Sequence, residues 1–271
     1  MNIIKVEIKR NFKSLLMWSI VSSLIVILFM SIYPSMKNSA MMDIVNTKMD
    51  TLPKSMLEIF NINEMANFAD IGEYFAYSFQ YILMVSAIYG GILGANSLIS
   101  EESDGTIEFL YSKPVSRSKI ASMKIISNII SFFIFSMIIS IASVICILLF
   151  IPDGVDKLET LIDVKLVLIA FFLLGVFFMS VGFLISTVIK SAKSATPIAL
   201  GLFFGTYFIG ILSKLNDNVE FLKYVSPYDN LIPAQIMKNG FNEGYLLAMI
   251  GIIAVCIGMT LVVYKRKDYR I

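Results

Sequence analysis

The sequence predicts an all-α integral membrane protein with six transmembrane helices. Six windows carry no charged residue, and each is long enough to cross a bilayer. They lie between Lys13 and Lys37, Glu73 and Glu101, Lys124 and Asp153, Lys165 and Lys190, Lys193 and Lys214, and Glu243 and Lys265. The shortest holds about 20 residues, which as a helix rising 1.5 Å per residue span roughly 30 Å, the thickness of the hydrocarbon core. The chain is 57% hydrophobic and 15% charged, with a mean hydropathy of +0.80, too apolar for a soluble domain. The spans use up most of the 271 residues, leaving little for a soluble catalytic domain on either side.

Lys and Arg set the expected orientation. If both termini are cytoplasmic, most basic residues fall in the inner segments, around Lys5–Lys13, Lys113–Lys124, Lys190–Lys193 and Lys265–Arg270. The outer loops are together longer yet hold fewer, as the positive-inside rule requires. Acidic residues gather in the first outer loop, among them Asp43, Asp50, Glu58, Glu64, Asp70 and Glu73. The place implied is the cell (plasma) membrane, multi-pass, with both termini inside. The first apolar run, Ser14 to Met36, is longer than the core of a secretory signal, and only Asn38-Ser39-Ala40 approaches a cleavage site, so it is read as a retained helix.

Residues 1–15 form a basic amphipathic lead-in. Ile4, Ile8, Phe12 and Leu15 fall near one helical face, with Lys5, Lys9, Arg10 and Lys13 elsewhere. The pattern suits a helix lying at the inner membrane surface, and charge that merely sets topology would also account for it. Trp18 is expected at the inner interface. The first span covers about 16–33 and is expected to stop at Pro34. In the outer loop, 34–73, Ser55 and Glu58 read as a capping box for a short helix near 53–60.

The second span, about 74–99, carries Gly90, Gly91 and Gly94, which permit close helix approach within the chain or between chains. The third, about 124–150, ends before the turn Pro152-Asp153-Gly154. The fourth and fifth, about 164–189 and 196–212, are joined by a tight inner turn at Lys190–Ser194. The outer segment 213–244 contains Ser226-Pro227-Tyr228 and Leu231-Ile232-Pro233 and is apolar enough to dip into the membrane. The sixth span, about 245–264, ends at Lys265-Arg266-Lys267.

Several chemistries are excluded or unsupported. The chain has no histidine, which removes bis-histidine haem, zinc-protease motifs and a Ser-His catalytic pair. Cys146 and Cys256 fall inside apolar spans and read as small packing residues. No Gly-x-x-x-x-Gly-Lys-Ser/Thr phosphate loop is present, so the chain is not itself a nucleotide hydrolase of that class.

The inner loop, 100–123, carries most of the remaining information. It reads Ser100-Glu101-Glu102-Ser103-Asp104-Gly105-Thr106-Ile107-Glu108-Phe109-Leu110-Tyr111-Ser112-Lys113-Pro114-Val115-Ser116-Arg117. Gly105 frees the backbone, Ile107, Leu110 and Tyr111 make an i, i+3, i+4 stripe, Pro114 ends that short helix, and Ser116 can cap the next one. A short helix between two spans suits docking to a soluble partner. A loop that only satisfies helix ends would show the same residues.

The run Glu-Glu-x-x-Gly-Thr-Ile-Glu-x-Leu-x-x-x-Pro-Val-Ser-Arg strongly resembles the inner loop of ABC-2 type ABC transporter permeases. The likeness extends to the basic N-terminus, the six spans, the Leu52-Pro53 to Leu57 element of the outer loop and Ser226-Pro227-Tyr228 before the last span. The resemblance implies a transport subunit whose inner loop is a cytoplasmic coupling helix seated in a separate ATPase subunit. Glu101, Glu102, Gly105, Thr106, Glu108, Pro114 and Arg117 would form or shape that contact. It also implies that 1–15 is an interfacial connector helix beside the same ATPase, and that 220–240 is an outer re-entrant element capping the pathway.

The implied partners are that ATPase, a second permease chain, identical or homologous, the lipid bilayer and the cargo, with no nucleic acid. No cofactor is expected on this chain; ATP and Mg belong to the partner. The absence of charge within the spans favours an exported amphipathic or hydrophobic cargo, such as a peptide antibiotic, membrane-active peptide or lipid-linked molecule, over a small inorganic ion. An ion-coupled secondary transporter would need a midplane ionisable group or a broken helix pair. A non-transporting scaffold or sensor subunit is also compatible with six spans, as is an intramembrane enzyme using a Ser-Lys pair.

Overall fold

The computed structural model describes residues 3–36, 47, 51, 53–61, 67–103, 105 and 115–266. Among these, every regular element is helical. In chain order they are α1 (Ile3–Met36), α2 (Lys54–Ile59), α3 (Ile71–Ser97), α4 (Ser100–Ser103), α5 (Arg117–Phe150), α6 (Lys157–Val188), α7 (Ala195–Leu215), α8 (Pro233–Asn239) and α9 (Glu243–Arg266). Short 3-10 turns lie at Ala192–Ser194, Asp217–Val225 and Asp229–Leu231. The helices α1, α3, α5, α6, α7 and α9 are long and apolar enough to cross a membrane, one for each charge-free window.

Local chemistry explains where the long helices begin. Asp70 caps α3 by accepting from the Glu73 N–H at 2.9 Å. Ser116 caps α5, so that helix starts at Arg117, seven residues before the expected span. Asp156 caps α6 by accepting from the Leu158 and Glu159 N–H groups, which likewise moves its start back to Lys157. Capping side chains satisfy the free N–H groups of a first turn, and a helix can run past the hydrocarbon layer on both sides.

Two elements differ from the sequence expectation. The short helix α2 is present, but Pro53 occupies its cap position and no side chain caps it, so Ser55 and Glu58 form no capping box. The lead-in 3–15 and the first span form one unbroken helix of 34 residues, with Pro34 inside its last turn rather than before it. At 1.5 Å per residue that helix is about 50 Å long, well beyond the hydrocarbon thickness.

The core is organised by α3. Gly90 and Gly94 let it lie directly on α6: a Cβ at Gly90 would land on the Gly175 carbonyl oxygen, and one at Gly94 on that of Met179. Gly182 answers from α6, facing the backbone of Gly91 and Ala95. Ser86 Oγ, one turn away, donates to the Phe171 carbonyl at 2.5 Å. The close approach of these glycines is therefore between two helices of one chain. Helix α1 runs antiparallel to α3, with Trp18 on Tyr89 (ring centroids 5.3 Å), Phe29 on Tyr81 (5.7 Å) and the Tyr33 hydroxyl on the Ala69 carbonyl (2.8 Å). Trp18 is half-buried and meets α3 in the half nearer Ser97. The remaining surface of the spans is apolar, as a lipid-facing surface is: Leu247, Ile250, Val255 and Val262 of α9 are all exposed.

Candidate functional site

The end of the bundle that carries the 100–116 loop is taken as the inner end, following the expected orientation. Here α3 ends at Ser97, α4 occupies Ser100–Ser103, Gly105 takes a positive φ of 68°, and α5 starts again at Arg117. Of the residues assigned to the coupling contact, Thr106, Glu108 and Pro114 lie outside the described residues. Glu101, Glu102, Gly105 and Arg117 are described. Gly105 is exposed, and Glu102 and Arg117 are half-buried.

Glu101 turns inward. Its carboxylate meets Lys124 Nζ, and its Oε1 accepts from Arg10 Nη1 at 2.7 Å. Lys124 is fully buried. Its ammonium also donates to Glu7 Oε1 at 3.0 Å and to the Ser97 carbonyl at 3.0 Å. Arg10 closes the group by reaching Glu7 Oε2 at 2.5 Å. Two carboxylates and two cations stand together, so each buried charge meets at least one opposite charge. Burial pushes the Glu101 carboxyl up, but Lys124 and Arg10 outweigh it and hold it below the ordinary carboxylate range.

One turn further along, Asn128 donates to the Ser97 hydroxyl at 2.8 Å, and its side-chain oxygen accepts from Asn11 Nδ2 at 2.7 Å. Apolar contacts frame the same end. Ile3 packs with Ile120, and Leu98 packs with Ala121 and Tyr264, the last brought from the far end of α9. Four spans therefore meet at the two ends of the inner loop.

Sequence reasoning assigned none of Glu7, Arg10, Ser97, Lys124 and Asn128 to this site. A usable signal was present: Glu7 is the lone acidic residue in a basic segment, three residues before Arg10. Lys124 reads in sequence only as the border of a charge-free window.

A second polar centre lies at the opposite end, on the Ser226-Pro227-Tyr228 motif. Ser226 Oγ donates to Asp229 Oδ2 at 2.5 Å, and Lys214 Nζ of α7 lies 2.5 Å from Asp229 Oδ1 as an ion pair. Lys214 also donates to Asn61 Oδ1 at 2.6 Å, and Asn61 Nδ2 to Gln80 Oε1 at 3.0 Å. Tyr228, fully buried, donates its hydroxyl to the Gln80 carbonyl at 3.2 Å and packs edge-on against Tyr207. The outer segment is thereby pinned to α3, α7 and the turn after α2.

Six long apolar helices thus carry one buried polar cluster at each end. No curated protein matches the chain. The family model described as "ABC-2 family transporter protein" matches residues 1–269, and the chain belongs to that family.

Proposed function

We propose that this chain works with a separate ATPase subunit to export an amphipathic or hydrophobic cargo across the cell membrane. Membership of the ABC-2 family makes it the permease component of an ABC transporter; the cargo, the direction and the partner arrangement are the proposal. The reading rests on one observation above all. The inner loop leaves and re-enters the bundle at a point where α1, α3, α5 and α9 converge, so a partner that moves the loop moves the helix ends.

In this reading Glu102, Gly105, Thr106, Glu108, Pro114 and Arg117 shape the docking contact, and Glu101 supports it from within through Lys124 and Arg10. The inner end of α1 lies beside the same ATPase. ATP and Mg are bound by that partner, and a second permease chain, identical or homologous, completes the assembly. ATP-driven closure of the ATPases shifts the balance between two bundle arrangements, a difference in free energy between states. The cargo class is supported by the charge-free windows of the spans, whose polar groups are hydroxyls and amides such as Tyr81, Tyr89 and Tyr207.

The test is to tag the chain, extract it from its own host in mild detergent and identify what accompanies it. A stoichiometric P-loop ATPase, lost in a combined Glu102→Ala, Gly105→Pro, Arg117→Ala variant, is the expected result. A chain that purifies alone, with no ATPase activity, would overturn the reading.

A further inference from the structure

We propose that Lys124 is a positioning residue for coupling: its buried ammonium joins the docking loop to α1 and α5, so that these move as one unit. The proposal deepens the ABC-permease reading above and rests on it.

An ammonium has three N–H donors and no acceptor. At Lys124 all three are used, and each acceptor comes from a different element: Glu7 of α1, the last carbonyl of α3 at Ser97, and Glu101 of α4. The lysine itself belongs to α5. One atom therefore holds four elements, and Glu101 is the first carboxylate of the motif that enters the docking loop. Arg10 spans both carboxylates from the half-exposed side.

Burial makes this arrangement all-or-none. Lys124 is fully buried and the Glu7 side chain nearly so, so neither can exchange its partner for water. Removing one member of such a set leaves an uncompensated buried charge, which costs far more than the intact set contributes. A surface ion pair would stretch and re-form in solvent; this one has no such freedom.

The register points the same way. Glu7 pairs with Lys124 and Asn11 with Asn128, one helical turn later on both helices. Helices α1 and α5 therefore run parallel and are fastened at two successive turns. Displacing α4 pulls on Lys124, and through it on both helices together. Ser97 ties the end of α3 to the same point through its carbonyl and its hydroxyl.

A structural role alone predicts something different, and a neutral replacement separates the two. Lys124→Met by itself strands two carboxylates and can fail to fold. The combined Glu7→Gln, Lys124→Met, Glu101→Gln variant removes the buried charges together, so none is left uncompensated inside, and the half-exposed Arg10 turns to solvent.

The readout is the single tryptophan, Trp18, on α1. This chain alone is labelled with 5-fluorotryptophan, assembled with the unlabelled ATPase in lipid nanodiscs, and its 19F resonance recorded with and without ATP and vanadate. In the native complex we expect a nucleotide-dependent shift. In the neutral triple variant we expect the ATPase to remain bound, the shift to vanish and ATP turnover to fall by roughly tenfold, within the usual range of coupling between sites. A native resonance that ignores nucleotide, or a triple variant that shifts like the native chain, overturns the proposal. Loss of the ATPase from the native complex instead overturns the separate-ATPase reading beneath it, so the two failures are distinguishable.

Discussion

Asp229 lies against Gly210, its carboxylate in the place where a Cβ would project from that turn of α7. The missing side chain lets the acidic group reach Lys214, one turn further along the same helix. Gly210→Ala is expected to push Asp229 away and break the pair. Removing one partner of a buried pair costs about 3 kcal/mol or more, so the variant should melt well below the native chain. Lys214→Met should show a loss of similar size. Thermal unfolding in detergent, followed by tryptophan fluorescence, checks both.

The glycines of α3 make a sharper contrast. Gly90→Ala and Gly94→Ala place a methyl on backbone atoms of α6, which cannot yield as a side chain tip can. Each should lower stability by about 1–3 kcal/mol through overpacking. Gly251→Ala and Gly258→Ala on α9 meet no neighbour and should be neutral or gain up to about 1 kcal/mol from helix propensity. Melting temperatures of the four variants, compared side by side, decide the matter.

Acid should remove what Glu101 contributes to this end of the bundle. The folded Glu101 carboxyl titrates below its ordinary value because Lys124 and Arg10 outweigh the opposing effect of burial. A lowered folded value means the stabilisation is present above the unfolded value, about 4.3, and is lost as pH falls through the folded one. The native chain should therefore be more stable than Glu101→Gln at neutral pH, and the difference should close on acidification. Melting curves of both chains between neutral and strongly acidic pH provide the measurement.

Tyr228 separates hydrogen bonding from packing. Tyr228→Phe loses only the bond to the Gln80 carbonyl and should cost about 1 kcal/mol. Tyr228→Ala also empties a fully enclosed ring site beside Phe203 and Tyr207, and should cost about 3–5 kcal/mol. Chemical denaturation of the two variants gives the ratio directly.

The legible part of this fold was legible for a local reason. Each span shows itself as a stretch without charge, and Ser116 shows itself as a cap by its type and place. Glycine spacing in α3 announced a close approach but not its partner, and the partner proved to be α6 of the same chain. Ser55 and Glu58 have the spacing of a capping box, yet the chain enters α2 at Pro53. Glu101 was singled out by its motif; the ion cluster it joins was invisible, because Glu7 and Lys124 stand 117 positions apart.

The sequence by itself determined that six segments are long and apolar enough to cross a membrane, since hydrophobic length and the cost of charge in hydrocarbon are properties of single segments, but not where their helices begin and end. Only the tertiary structure decided which of the bordering charges turn inward and meet. A lysine at the end of a span can reach solvent or a buried carboxylate with equal ease from its place in the chain. That choice depends on which helices pack side by side and at what height, and here it put Lys124 between Glu7 and Glu101.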